Sequence, residues 1–169
     1  MMNIITILLV GVFLLLLLTV HELGHIVSAK LLQMPIKKVG FTTVPFPHVF
    51  VSVNWPREKN KRTLYLMSGF ATTLSIFAIV LLFGVDFKPL LIALCIQMII
   101  ETNPIYSDFI IINMFDKVSS EVRSTRQPYK AVYKKVYNKY LFSPKWYIHF
   151  AIWFVLIITF INVIKNIYV

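Results

Sequence analysis

Residues 14–25 read LLLLLTVHELGH. Five leucines run directly into two histidines and a glutamate. Imidazole and carboxylate groups are costly in apolar surroundings unless something compensates them. A run that otherwise has the composition of a membrane span therefore ends in three groups that need a partner. The rest of the sequence has to supply either that partner or a reason to keep the three groups wet.

Composition narrows the setting. Of 169 residues, 58% are apolar and 14% charged, a balance that excludes a disordered chain and is unusual for a soluble domain. Long apolar runs predict four spans, at about residues 4–33, 64–83, 89–115 and 146–164. The expected fold is an all-α polytopic membrane protein, a single domain over residues 1–169, with a short membrane-associated β segment. No Lys or Arg precedes the first apolar run, and the first is Lys30. A signal-peptide n-region is therefore missing, and the run is expected to stay as an uncleaved span. The single cysteine, Cys95, lies in an apolar run and reads as a small buried hydrophobe.

Positive charge is distributed very unevenly. Lys30, segment 34–63 and segment 116–145 hold all but two of the 17 Lys and Arg residues, the exceptions being Lys88 and Lys165. The positive-inside rule then makes the two long loops cytoplasmic and puts both termini outside the cell membrane. The net charge of +10 is thus mainly a topology signal, and no nucleic-acid partner is expected. Segment 129–141, YKAVYKKVYNKYL, spaces Tyr and Val residues helically with lysines opposite. It predicts an amphipathic helix on the inner leaflet of the bilayer.

HELGH at 21–25 fits the H-E-x-x-H pattern. On a helix His21 and His25 share one face, so both imidazoles can reach one ion. Zinc accepts imidazole nitrogen, and a catalytic zinc site takes three protein ligands plus water. Glu22 is placed to act as general base toward that water. The third ligand must come from elsewhere, and Glu101 and Asp108 in the third span are the candidates. Glu22 lies 19 residues beyond Asn3, and Asp108 lies 19 beyond Pro89. Spans one and three run in the same direction, so the motif and Asp108 should meet about 12 Å inside the cytoplasmic end. Glu101 would lie about 10 Å further out if the helix continued past Pro104. Depth therefore favours Asp108. His48, in a loop, and His149, at the start of an aromatic-rich span, are not expected to be ligands.

At these residues the sequence resembles the site-2 protease family of intramembrane zinc metalloproteases. HELGHIVSAKLLQMPIKKVGF at 21–41 is similar to the family's first core helix and its exit. SGFATTL at 68–74 and NPIYSDF at 103–109 fall where the family has a Gly-Pro-rich helix and an Asn, a Pro and the ligand Asp. The resemblance implies an endopeptidase with zinc on His21, His25 and Asp108 and Glu22 as catalytic base. It makes Asn103 a candidate substrate or oxyanion contact. The implied substrate is a membrane protein or membrane-bound peptide, cut close to the cytoplasmic face. Segment 49–55, VFVSVNW, has strand character, and the family uses such a strand to hold extended substrate. The alternatives are a non-enzymatic zinc-binding scaffold of the same fold and a small transporter. Glu22 favours the enzyme, since structural zinc needs no base beside its ligand.

The orientation has a direct test. Single cysteines placed in segments 34–63 and 116–145 should resist an impermeant thiol reagent in intact cells, and one at the C-terminus should label. The opposite pattern would invert the topology.

Overall fold

A computed structural model describes residues 3–42, 48–56 and 58–168. Among them the chain forms six helices and one antiparallel hairpin. In order these are α1 (Ile4–Leu31), β1 (Ile36–Thr42), β2 (His48–Val53), α2 (Lys59–Leu82), α3 (Lys88–Glu101), α4 (Asp108–Thr125), α5 (Tyr129–Tyr140) and α6 (Pro144–Tyr168). The mostly helical class and the short β segment agree with the sequence pattern. Helices α1, α2 and α6 are long and apolar enough to cross a membrane.

α1 begins where Asn3 Oδ1 accepts the Thr6 N–H at 2.8 Å, an N-cap that satisfies one orphan amide. Its 28 residues span about 42 Å, more than a hydrocarbon core requires. Leu8, Leu15, Leu16 and Leu23 on its outer face are exposed. The inner face packs on α2, α3 and β2. Close approach to α2 depends on Gly24, where a Cβ would meet Thr72 Oγ1 and stand 2.9 Å from the Ser68 carbonyl oxygen. The hairpin pairs Ile36 with Val53 and Thr42 with His48, and it buries Val53 against Ala29, Tyr65 and Leu66.

The expected third span is not one helix. It divides into α3 and α4, with a turn at 102–107, and α4 continues ten residues past the predicted end at 115. Pro104 has no N–H and clashes with the turn before it, so the helix stops. Asn103 shapes the turn. Its Oδ1 accepts the Ile105 and Tyr106 amides at 2.9 and 2.8 Å, and its Nδ2 donates to the Ile100 carbonyl.

Carbonyls freed by the break need donors if they lie in apolar surroundings. α6 provides most of them. Trp153 Nε1 donates to Ile99 O at 2.8 Å, His149 Nε2 to Thr102 O at 2.9 Å, and Trp146 Nε1 to Pro104 O at 2.8 Å. Tyr137 of α5 adds its hydroxyl to Ile105 O at 3.0 Å. The aromatic density of α6 thus has a specific task, and His149 is occupied in it, away from the metal motif.

α4 and α5 form an antiparallel pair around Ile110, Met114, Val118, Val132, Val136 and Tyr140. The start of α2 is tied to α4 by Arg62 and Lys59 on Asp116, at 2.5 and 3.2 Å. Slight burial pushes the Asp116 carboxyl up, and the two cations outweigh it and hold it below the ordinary carboxylate range. This tie is therefore lost as pH falls through the lowered Asp116 pKa.

Replacing Gly24 by Val should destabilise the protein by about 1–3 kcal/mol, because overpacking forces α1 and α2 apart. Adding Thr72→Ala should recover only part of that loss, since the Ser68 carbonyl is backbone and stays. Denaturant unfolding in neutral detergent reads both values, and full recovery would mean that the backbone contact is irrelevant.

Candidate metal centre

The site joins α1, α2, α3 and α4. One turn of α1 separates His21 from His25, which places both rings on the face turned toward α2 and α3. Their Nε2 atoms stand 3.2 Å apart. Asp108, the first residue of α4, puts Oδ2 at 3.2 Å from His25 Nε2 and 3.6 Å from His21 Nε2. Ligand atoms of His21, Glu22 and His25 also lie within 4.8 Å of one another and could hold a metal ion. Glu22 and Asp108 therefore both border the histidine pair, with Asp108 in direct contact with both rings.

Protonation follows from the outer partners of each ring. His25 Nδ1 lies 2.8 Å from the Tyr65 carbonyl oxygen, which can only accept, so Nδ1 carries the hydrogen. Ser68 Oγ, 3.2 Å from the same nitrogen, donates to that carbonyl too, at 2.6 Å. His21 Nδ1 lies 2.7 Å from Glu101 Oε1 and donates to it. In the neutral rings both Nε2 atoms then carry lone pairs, which face each other and the Asp108 carboxylate. Three acceptors at this spacing repel unless a positive charge sits among them. A tetrahedral ion bound at about 2.0–2.2 Å holds its donors roughly 3.3–3.6 Å apart. The spacings of 3.2, 3.2 and 3.6 Å fit such an ion.

Glu101 is where the depth argument fails. A continuous helix would carry it about 10 Å away from Asp108 along the axis. The turn at 102–107 removes that rise, and both carboxylates reach His21. Glu101 Oε1 is the hub of a small network, accepting from His21, from Thr73 Oγ1 at 2.7 Å and from Gln97 Nε2 at 2.7 Å. It fixes the His21 tautomer from behind, the arrangement by which a carboxylate orients a metal-binding imidazole. The i, i+4 pair Gln97 and Glu101 on an otherwise apolar helix was the legible sign of this network in the sequence.

Two residues of α2 complete the site: Gly69, one of the small residues of SGFATTL that permit close helix approach, and Tyr65, which went unread. Gly69 of α2 lies against the rings, and a Cβ there would be 2.5 Å from His21 Nε2 and 2.7 Å from His25 Nε2. Tyr65 holds His25 with its carbonyl and the Val51 carbonyl of β2 with its hydroxyl, at 3.2 Å, so one residue ties the metal helix to the strand. Between them opens a cavity of about 200 Å³, walled by Glu22, His25, Asp108, Tyr65 and residues 50–53 of β2. Asn103 is not on that wall, and its amide is taken up by the turn it caps. The His48 side chain lies outside the described residues.

No family model, curated protein or solved structure matches this chain.

The Glu101 network predicts a metal phenotype away from the ligands themselves. Glu101→Gln should lower metal affinity about 10–100-fold, as loss of an orienting carboxylate does elsewhere. Competition with a chromophoric chelator measures this. Unchanged affinity would restore the depth argument and make the network a packing feature.

Proposed function

We propose that this chain is a membrane-embedded zinc endopeptidase of the site-2 protease type, cutting a peptide bond in or near a transmembrane segment close to the cytoplasmic face. The observation that carries the reading is the convergence of His21 Nε2, His25 Nε2 and Asp108 Oδ2 at tetrahedral donor spacing beside a cavity that Glu22 also lines. In this reading α1, α2 and α6 cross the bilayer, and α3 with its turn makes a broken fourth crossing. The charge bias keeps the hairpin and α5 on the cytoplasmic side.

His21, His25 and Asp108 would hold the zinc. When bound, it supplies a Lewis acid that polarises a carbonyl and makes water acidic enough to ionise near neutral pH. The chain's own residues do the rest. Glu22 takes the proton of the attacking water and delivers it to the departing amine. Glu101 and the Tyr65 carbonyl keep both Nδ1 hydrogens in place, so the imidazoles stay aimed through Nε2. β2 runs along the cavity, where an extended substrate segment can lie against its backbone. Its position suits a peptide that must leave its helical conformation before it is cut.

The test separates base from ligand. Glu22→Gln should keep about one zinc per chain by elemental analysis and lose all cleavage. Asp108→Asn and His25→Ala should lose zinc, because a neutral amide is a poorer ligand for a hard cation and alanine is none. Comparing membrane proteomes of cells carrying the intact protein and Glu22→Gln identifies the precursors that accumulate only in the variant. Full cleavage by Glu22→Gln would sink the peptidase reading and favour a zinc-binding scaffold.

A further inference from the structure

A second cavity, of about 870 Å³, lies between α4, α5 and the start of α6, and the peptidase reading makes no use of it. We propose that this cleft binds the phosphate group of an anionic lipid headgroup. The inference rests on the membrane placement argued above and is independent of the peptidase chemistry.

Charge is the first argument. Lys117 of α4, Lys135 and Lys139 of α5 and Lys145 of α6 line the cleft against one carboxylate, Glu121. Glu121 is taken by Lys135 at 2.6 Å. Lys117, Lys139 and Lys145 have no ion-pair partner among the described residues. Three uncompensated ammonium groups around one cleft repel one another, and an anion between them relieves that repulsion.

Helix geometry is the second argument. The cleft also borders the N-terminus of the 25-residue α6, where Ser143 Oγ caps the Trp146 amide at 3.3 Å. The partial positive charge of that helix end has the same sign as the lysines.

Level decides the source of the phosphate. Phe142, Trp146 and Tyr147 cluster at this same end of α6, with Phe142 and Tyr147 exposed. Amphipathic rings gather at headgroup depth. Beyond them Ile148, Ile152 and Val155 are exposed along α6 and give acyl chains an apolar surface. A lipid whose phosphate sits in the cleft can lay its tails there, which a free phosphate ion cannot do.

The experiment uses full-length protein, delipidated in neutral detergent, and follows its thermal unfolding midpoint. Phosphatidylglycerol, phosphatidylcholine and inorganic phosphate are titrated separately. Phosphatidylglycerol should raise the midpoint saturably, and the other two should not. Lys139→Gln with Lys145→Gln should weaken that effect by about tenfold or more. The charge-matched pair Lys130→Gln with Lys134→Gln, on α5 but outside the cleft, should leave it unchanged. Circular dichroism checks that every variant is folded. Equal losses in the two lysine pairs would assign binding to diffuse surface charge and overturn the site. So would full affinity in Lys139→Gln with Lys145→Gln. Inorganic phosphate matching the lipid would overturn the lipid as source.

Discussion

Two imidazoles on one helix face each direct the Nδ1 hydrogen at an acceptor, one at a backbone carbonyl and one at a carboxylate. In the neutral rings the remaining nitrogens are acceptors, and they point at each other and at a second carboxylate. That arrangement is unfavourable in apolar surroundings until a cation enters it. Much of the surrounding structure serves to impose it. Gly69 lets the α2 backbone come against the rings, and Gly24 lets the same two helices close one turn away. Tyr65 and Ser68 fix one ring from α2, and Glu101, held by Thr73 and Gln97, fixes the other from α3.

The break at 102–107 is the second constraint, and it follows from the first. A carboxylate must reach His25 and another must reach His21 from behind, on a segment that rises 1.5 Å per residue while helical. Stopping the helix at Pro104 removes that rise. Backbone groups freed by the break then require donors wherever they are buried. Asn103 satisfies the near side, and the indole and imidazole groups of α6 satisfy the far side. α6 is therefore a wall for the turn that delivers Asp108, though it contributes no residue to the site itself.

Tyr65 connects the site to the hairpin, and α6 connects it to the cleft between α4 and α5. The first connection brings a strand alongside the cavity that holds Glu22. The second places four lysines where α6 begins. The proposed substrate strand and the proposed lipid site thus flank the metal residues on two sides, each tied to them through a single element.

What the sequence determined on its own is what local spacing encodes. The i, i+4 histidines had to share a face of α1, because helical period admits no other arrangement of HELGH within an apolar run. The same periodicity fixed α5, and the apolar runs fixed α1, α2 and α6 to within a few residues. Strand character after the metal helix was equally local, a matter of β-branched and aromatic residues in a short run. What only the tertiary structure decided is everything that depends on distance between segments. The depth count brought Asp108 to the motif, but it excluded Glu101 because it assumed a continuous helix, and Pro104 alone did not say how far the chain would fold back. The resemblance made Asn103 a candidate substrate contact, and packing engages its amide in capping the turn. The small residues Gly69 and Thr73 signalled close helix approach, but which atoms they meet, and that Tyr65 belongs to the site, only packing decides, because a glycine matters for what its missing Cβ would strike, and a carbonyl or hydroxyl for what is brought within about 3 Å of it.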